Sequence, residues 1–89
     1  MRRTPLAYDA LALRTRVLTG ATSVDPSVTV LGQRLDVPFM LAPAGYHTRA
    51  HPDGELASAR AAARAGTVLA LATNSGHPAD AIVREEAAS

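Results

Sequence analysis

Two short apolar runs, Phe39-Met40-Leu41-Ala42 and Thr67-Val68-Leu69-Ala70-Leu71, flank one helical pattern, and nothing else in the sequence restricts the fold as much. Neither run alternates polar with apolar residues, which is the pattern of a strand buried on both faces. A strand that returns beside its neighbour through a helix runs parallel to it and makes a right-handed βαβ unit. Two parallel strands with little helical cover leave open edges and apolar faces, so such a unit belongs to a larger sheet or barrel. The fold class expected is α/β.

The helix between the runs shows its own signals. Pro52 suits a first helical position, where the missing N–H removes no bond. Asp53 and Glu55 place negative charge at the amino end, where they are read as solvated charges. Leu56, Ala59, Ala63 and Gly66 recur at spacings of three and four and form a narrow face able to sit close to a sheet. Arg60 and Arg64 read as solvated surface, and Gly66 as the left-handed residue that ends the helix. A second helix starts at Pro78, with Asp80 in its first turn, and only Ile82 and Val83 available as anchors.

Upstream, Val28-Thr29-Val30-Leu31, Gly32-Gln33 and Arg34-Leu35-Asp36-Val37 read as a hairpin turning at Gly32, stopped by Pro38. Residues 6–18 begin as good helix formers and exit irregularly, a packed lead-in rather than a membrane-surface helix. The organisation expected is thus a lead-in over 1–27, a hairpin over 28–37, a strand-helix-strand unit over 39–71 and a helix over 78–88.

Composition narrows the function. Of 89 residues 47% are apolar, but 19 of these are alanines, with one Phe and no Trp, so the core is thin and does not promise independent folding. The absence of cysteine removes disulfides and thiolate metal sites. A net charge of +1, from nine Arg, no Lys and eight acidic residues, does not make the cationic field that nucleic acid requires. Met1-Arg2-Arg3 has the charge of a signal-peptide start, but Pro5 and Asp9 interrupt the apolar stretch that should follow. No window has 18 or more apolar residues, so no membrane span is expected and the location expected is cytoplasmic.

Individual residues carry little chemistry on their own. His47 and His51 are four apart, but Pro52 breaks the frame that would put them on one helical face, and no metal site is expected. His51 reads as ordering the turn into the helix through a backbone hydrogen bond, and His77 as the residue before the second helix. Ser75 has no His and Asp partners for nucleophilic catalysis. Gly45, Gly54, Gly66 and Gly76 do not form a dinucleotide fingerprint.

A resemblance adds to this reading. Leu41-Ala42-Pro43, Ala50-His51-Pro52-Asp53-Gly54-Glu55-Leu56-Ala57 and Ala59-Arg60-Ala61-Ala62-Ala63-Arg64-Ala65-Gly66-Thr67 are similar to segments of the FMN-dependent alpha-hydroxy-acid dehydrogenases and oxidases. Arg14, Arg16-Val17-Leu18, Val24-Asp25 and Thr29-Val30-Leu31-Gly32 ahead of Pro38 resemble the approach to that family's first barrel strand. The resemblance implies a partial TIM barrel whose first two strands are 39–42 and 67–71, with the hairpin toward the bottom. Chemistry in such barrels gathers at the carboxyl ends of the strands. Carried over by position, Ala44, Gly45, Tyr46, Ala72 and Thr73 are the flavin-side residues, and Asn74 falls at a substrate-pocket position. Tyr46 has two readings, lining the flavin cavity or packing its loop. The family usually has Thr, Ala and Met or Leu where this chain has Ala44, Gly45 and Tyr46, often Ser at Ala72, and a Trp at Asn74 in its glycolate oxidase-like members.

The cofactor implied is FMN and the substrate a small 2-hydroxy acid. The catalytic His, the two carboxylate-holding Arg and the phosphate-binding loops of such enzymes have no counterpart among these residues, so no catalytic residue is assigned. The chain then reads as an amino-terminal fragment that is inactive in isolation. The alternatives are a structural partner completing a barrel with a separately encoded remainder, and an unstable product of a truncated gene.

Overall fold

A computed structural model describes residues 3–88. The Met1-Arg2 part of the basic start lies outside the described residues. In chain order the elements are helix α1 (Arg3–Asp9), strands β1 (Val28–Val30) and β2 (Gln33–Leu35), a 3-10 turn (His47–Arg49), helix α2 (Gly54–Arg64) and helix α3 (Ala79–Ala88).

β1 and β2 form an antiparallel hairpin with Val28 opposite Leu35 and Val30 opposite Gln33. The two-residue turn has Leu31 at φ 51° and Gly32 at φ 77°. Both central residues are left-handed, as a type I′ turn requires, because that twist matches the twist of the flanking strands.

Beyond the hairpin, Leu41 and Leu69 pair in parallel. The Leu41 N–H donates to the Val68 carbonyl (3.0 Å), and the Ala70 N–H donates to the Leu41 carbonyl (2.9 Å). The expected strands 39–42 and 67–71 are thus reduced to a single parallel bridge. The Thr67 hydroxyl bonds the Phe39 carbonyl at the next position. Among the described residues each run has only the other beside it. The expectation that both faces of these runs are buried also fails. Phe39, Met40 and Leu71 are 59%, 42% and 40% exposed, because the helices cover one side only.

α2 shows how its sequence sets its ends. The Gly66 N–H bonds the Ala63 carbonyl and the Thr67 N–H bonds the Ala62 carbonyl, the paired closing bonds of a Schellman motif. Gly66 stands at φ 69°, and a side chain there would overlap Asp36. The hairpin is tied to this end of α2, with the Asp36 N–H donating to the Gly66 carbonyl (2.8 Å). It therefore lies at the opposite end of the strand-helix unit from the loop that leads into α2.

The amino end departs from expectation. Pro52 and Asp53 form a turn closed by the Gly54 N–H on the His51 carbonyl (2.9 Å), and α2 starts at Gly54. Pro favours the second position of such a turn and Gly the fourth, so Pro52 serves the turn rather than the helix.

The core is small. Leu35, Ala59, Ala62 and Ile82 are its buried apolar residues, with Gly54, Glu55 and Thr67 buried beside them. α2 and α3 pack on one another through it. Arg60, expected to be solvated, instead bonds Asp53 (2.8 Å) and Glu85 (2.7 Å), because packing brings α3 opposite that stripe. Arg64 is exposed. The lead-in is a further correction: every residue from 3 to 26 is exposed, including Leu13 and Leu18. The buried surface lies between α2, α3 and the end of the hairpin, and none of it faces this segment.

Candidate functional site

The loop after Leu41 and the loop after Leu69 meet. The Tyr46 N–H donates to the Asn74 carbonyl (3.0 Å), and a methyl group on Gly45 would come within 3.2 Å of the Asn74 Cβ. Both loops leave the same end of the parallel pair, where the chain passes from strand to helix. Ala44, Gly45, Tyr46, Thr73 and Asn74 are exposed there and Ala72 is half-buried. All six sequence-derived positions therefore share one rim. Tyr46 stands at φ 60°, and the Arg49 guanidinium lies 4.8 Å from its ring centroid, so the ring is held from within its own loop while staying 54% exposed.

A layer of polar contacts lies beneath the rim. His47 Nδ1 is 3.0 Å from the Ser58 hydroxyl, which ties the first loop to α2. The Asp53 N–H donates to His51 Nδ1 (3.2 Å), the role in turn formation read from the sequence. The Ser75 hydroxyl donates to the His77 carbonyl and accepts from the His77 N–H, so it is engaged with main chain.

Glu55 overturns its expected place among solvated charges. It is 1% exposed; Oε1 accepts the Gly76 N–H (3.0 Å), and Oε2 lies 3.3 Å from His77 Nδ1. The Gly76 N–H is the main reason its carboxyl is held down at about 2, with its own main-chain N–H, His77 and His47 helping and burial opposing. Glu55, Ala59 and Ala62 recur at spacings of four and three, so the buried stripe is turned one residue from the stripe read as Leu56, Ala59 and Ala63. The small residues Ala59 and Ala62 were the available signal, since they share the face of α2 that carries Glu55.

Among the described residues no group of three or more His, Asp or Glu is placed to hold a metal ion, and His47 and His51 bond different partners. No helix among them is long and apolar enough to cross a membrane.

The sequence profile of the FMN-dependent dehydrogenases matches residues 1–89. The chain belongs to this family. FMN is the cofactor of FMN-dependent dehydrogenases. The chain is 43% identical over 67 residues to glycolate oxidase 1 of Oryza sativa subsp. indica, covering 75% of the chain and 18% of that enzyme. It is 41% identical over 75 residues to a peroxisomal (S)-2-hydroxy-acid oxidase of the same plant, covering 84% of the chain and 20% of that protein. The chain spans about a fifth of the length of these relatives.

Solved structures agree. A mandelate oxidase mutant with a monooxide FMN adduct superposes with a TM-score of 0.74 at 36% identity, over 79% of this chain and 22% of that one. A flavocytochrome b2 mutant with pyruvate bound gives 0.80 at 25% identity, over 90% and 21%. These neighbours are TIM-barrel enzymes, and the α/β character expected of this chain is theirs.

Proposed function

We propose that residues 39–75 supply the first strand-helix-strand step of an FMN-binding barrel that oxidises a small 2-hydroxy acid to the 2-oxo acid. The observation that carries this reading is the Tyr46–Asn74 bond, which brings two loops together at the carboxyl end of a parallel pair. Ala44, Gly45, Tyr46, Ala72 and Thr73 flank the flavin, and Asn74 faces the substrate. FMN bound there would supply the redox chemistry of the oxidation. The residues of this chain place and shield: small side chains admit the ring, and the Arg49-braced Tyr46 covers part of its surroundings.

None of the three His is assigned as base in this reading, because the family's catalytic His and carboxylate-holding Arg have no counterpart among these residues, and the chain in isolation is read as inactive. The exposed Phe39, Met40 and Leu71 favour completion of the barrel by further strands and helices packed against them. A cytoplasmic location accompanies this reading.

Purified chain with FMN should show no turnover of glycolate, lactate or mandelate. Co-expression with the remaining barrel segments of a glycolate oxidase should give a complex with flavin absorbance. Sustained turnover by the chain alone overturns the inactivity, and a complex that stays colourless overturns the flavin-side role.

A further inference from the structure

Glu55 has no task in the reading above, yet it is the most deeply buried charged group among the described residues. An ionised carboxylate is tolerated in such a place when its oxygens are bonded, and here one oxygen takes a main-chain N–H and the other faces an imidazole. Both partners, Gly76 and His77, end the loop that carries Ala72, Thr73 and Asn74.

Two close approaches make this arrangement possible. Gly54, at φ 47°, and Gly76 both lie against the Thr48 side chain, and a methyl group on either would overlap it. Thr48 belongs to the 3-10 turn of the first loop. Both rim loops therefore converge on the first turn of α2, and His47 adds its bond to Ser58 one turn further on. The titratable groups facing the carboxylate are His77, across the contact, and His47, at longer range.

We infer that Glu55 is a positioning residue that clasps the 72–77 loop to the first turn of α2 through the Gly76 N–H and the His77 ring. The clasp sets the position of Ala72, Thr73 and Asn74 relative to the first loop. It rests on the proposed function only for what those residues face. The contact with Oε2 requires the His77 proton on Nδ1.

Amide exchange and amide shifts of the full 89-residue chain, followed by NMR without flavin, test this. In the wild type the Gly76 amide is expected to be protected, and its resonance to move with Glu55 protonation near pH 2. Glu55→Gln keeps the shape but loses the charge, and should speed Gly76 exchange about tenfold and abolish the acid-linked movement. Glu55→Ala should speed it by about a hundredfold. The Thr67 amide, closed on Ala62 at the far end of α2, should hold its protection in both variants. A Gly76 amide that exchanges freely in the wild type, including through a chain that does not fold, overturns the inference. So does unchanged Gly76 protection in Glu55→Ala, or parallel loss at Gly76 and Thr67. Protection that follows Glu55 while the co-expressed complex stays colourless would sink the flavin reading and leave the clasp standing.

Discussion

Leu31 and Glu55 sit where their residue types are uncommon, and each yields a prediction. Leu31 holds a left-handed conformation with its side chain 99% exposed, so it has no packing to offset the steric cost of about 1–2 kcal/mol. Leu31→Asn should stabilise the chain by about 1 kcal/mol, read as a higher urea midpoint at unchanged slope. Glu55 gives an acid-side prediction. Its carboxyl ordinarily titrates at 4.5 and is held at about 2 when folded, so its contribution is complete above the unfolded value. That contribution falls away as the pH drops from there through the folded value. Wild type and Glu55→Gln should therefore differ most in stability at about pH 6 and converge by about pH 2, as followed by circular dichroism in urea.

Between elements, the α2–α3 contact uses small residues on one side and one large residue on the other. Ala59 and Ala62 let α3 approach closely, and Ile82, 4% exposed, fills the space. Val83, its companion in the sequence reading, is 62% exposed and contributes little. Ile82→Ala should cost about 2–5 kcal/mol and loosen α3, seen as faster exchange of its amides before those of α2. Arg60 joins the same pair by bridging Asp53 before α2 and Glu85 on α3, and the charges that it meets hold its guanidinium protonated. That bridge was not legible beforehand, because Glu85 lies 25 positions away and only the helix packing brings it across.

Taken whole, the chain is open. Its radius of gyration is 17.2 Å, where a compact domain of this length has about 12 Å. Its accessible surface is 7431 Å², where about 4,900 Å² is usual for its mass of 9.2 kDa. The excess lies in the exposed lead-in and on the uncovered side of the Leu41–Leu69 pair. Urea unfolding of the isolated chain should accordingly be shallow, with a slope of about 1 kcal/mol/M or less, because little surface remains to be exposed. A slope near 2 would show that the chain buries more in solution than this arrangement does.

Local chemistry determined much of this protein before any tertiary contact was considered. The turn at Gly32, the Gly66 helix end and the helix between two apolar runs all follow from backbone sterics and hydrogen bonding within a few residues. The match of residues 1–89 to the FMN-dependent dehydrogenases belongs with them. The sequence reading left Leu31, however, in the strand and not in the turn. Tertiary structure alone decided what became of the charges and the loops. Whether Glu55 faces water or a buried N–H depends on Gly76, 21 positions away, arriving to meet it. Burial is a property of surroundings, and those surroundings are assembled from distant parts of the chain.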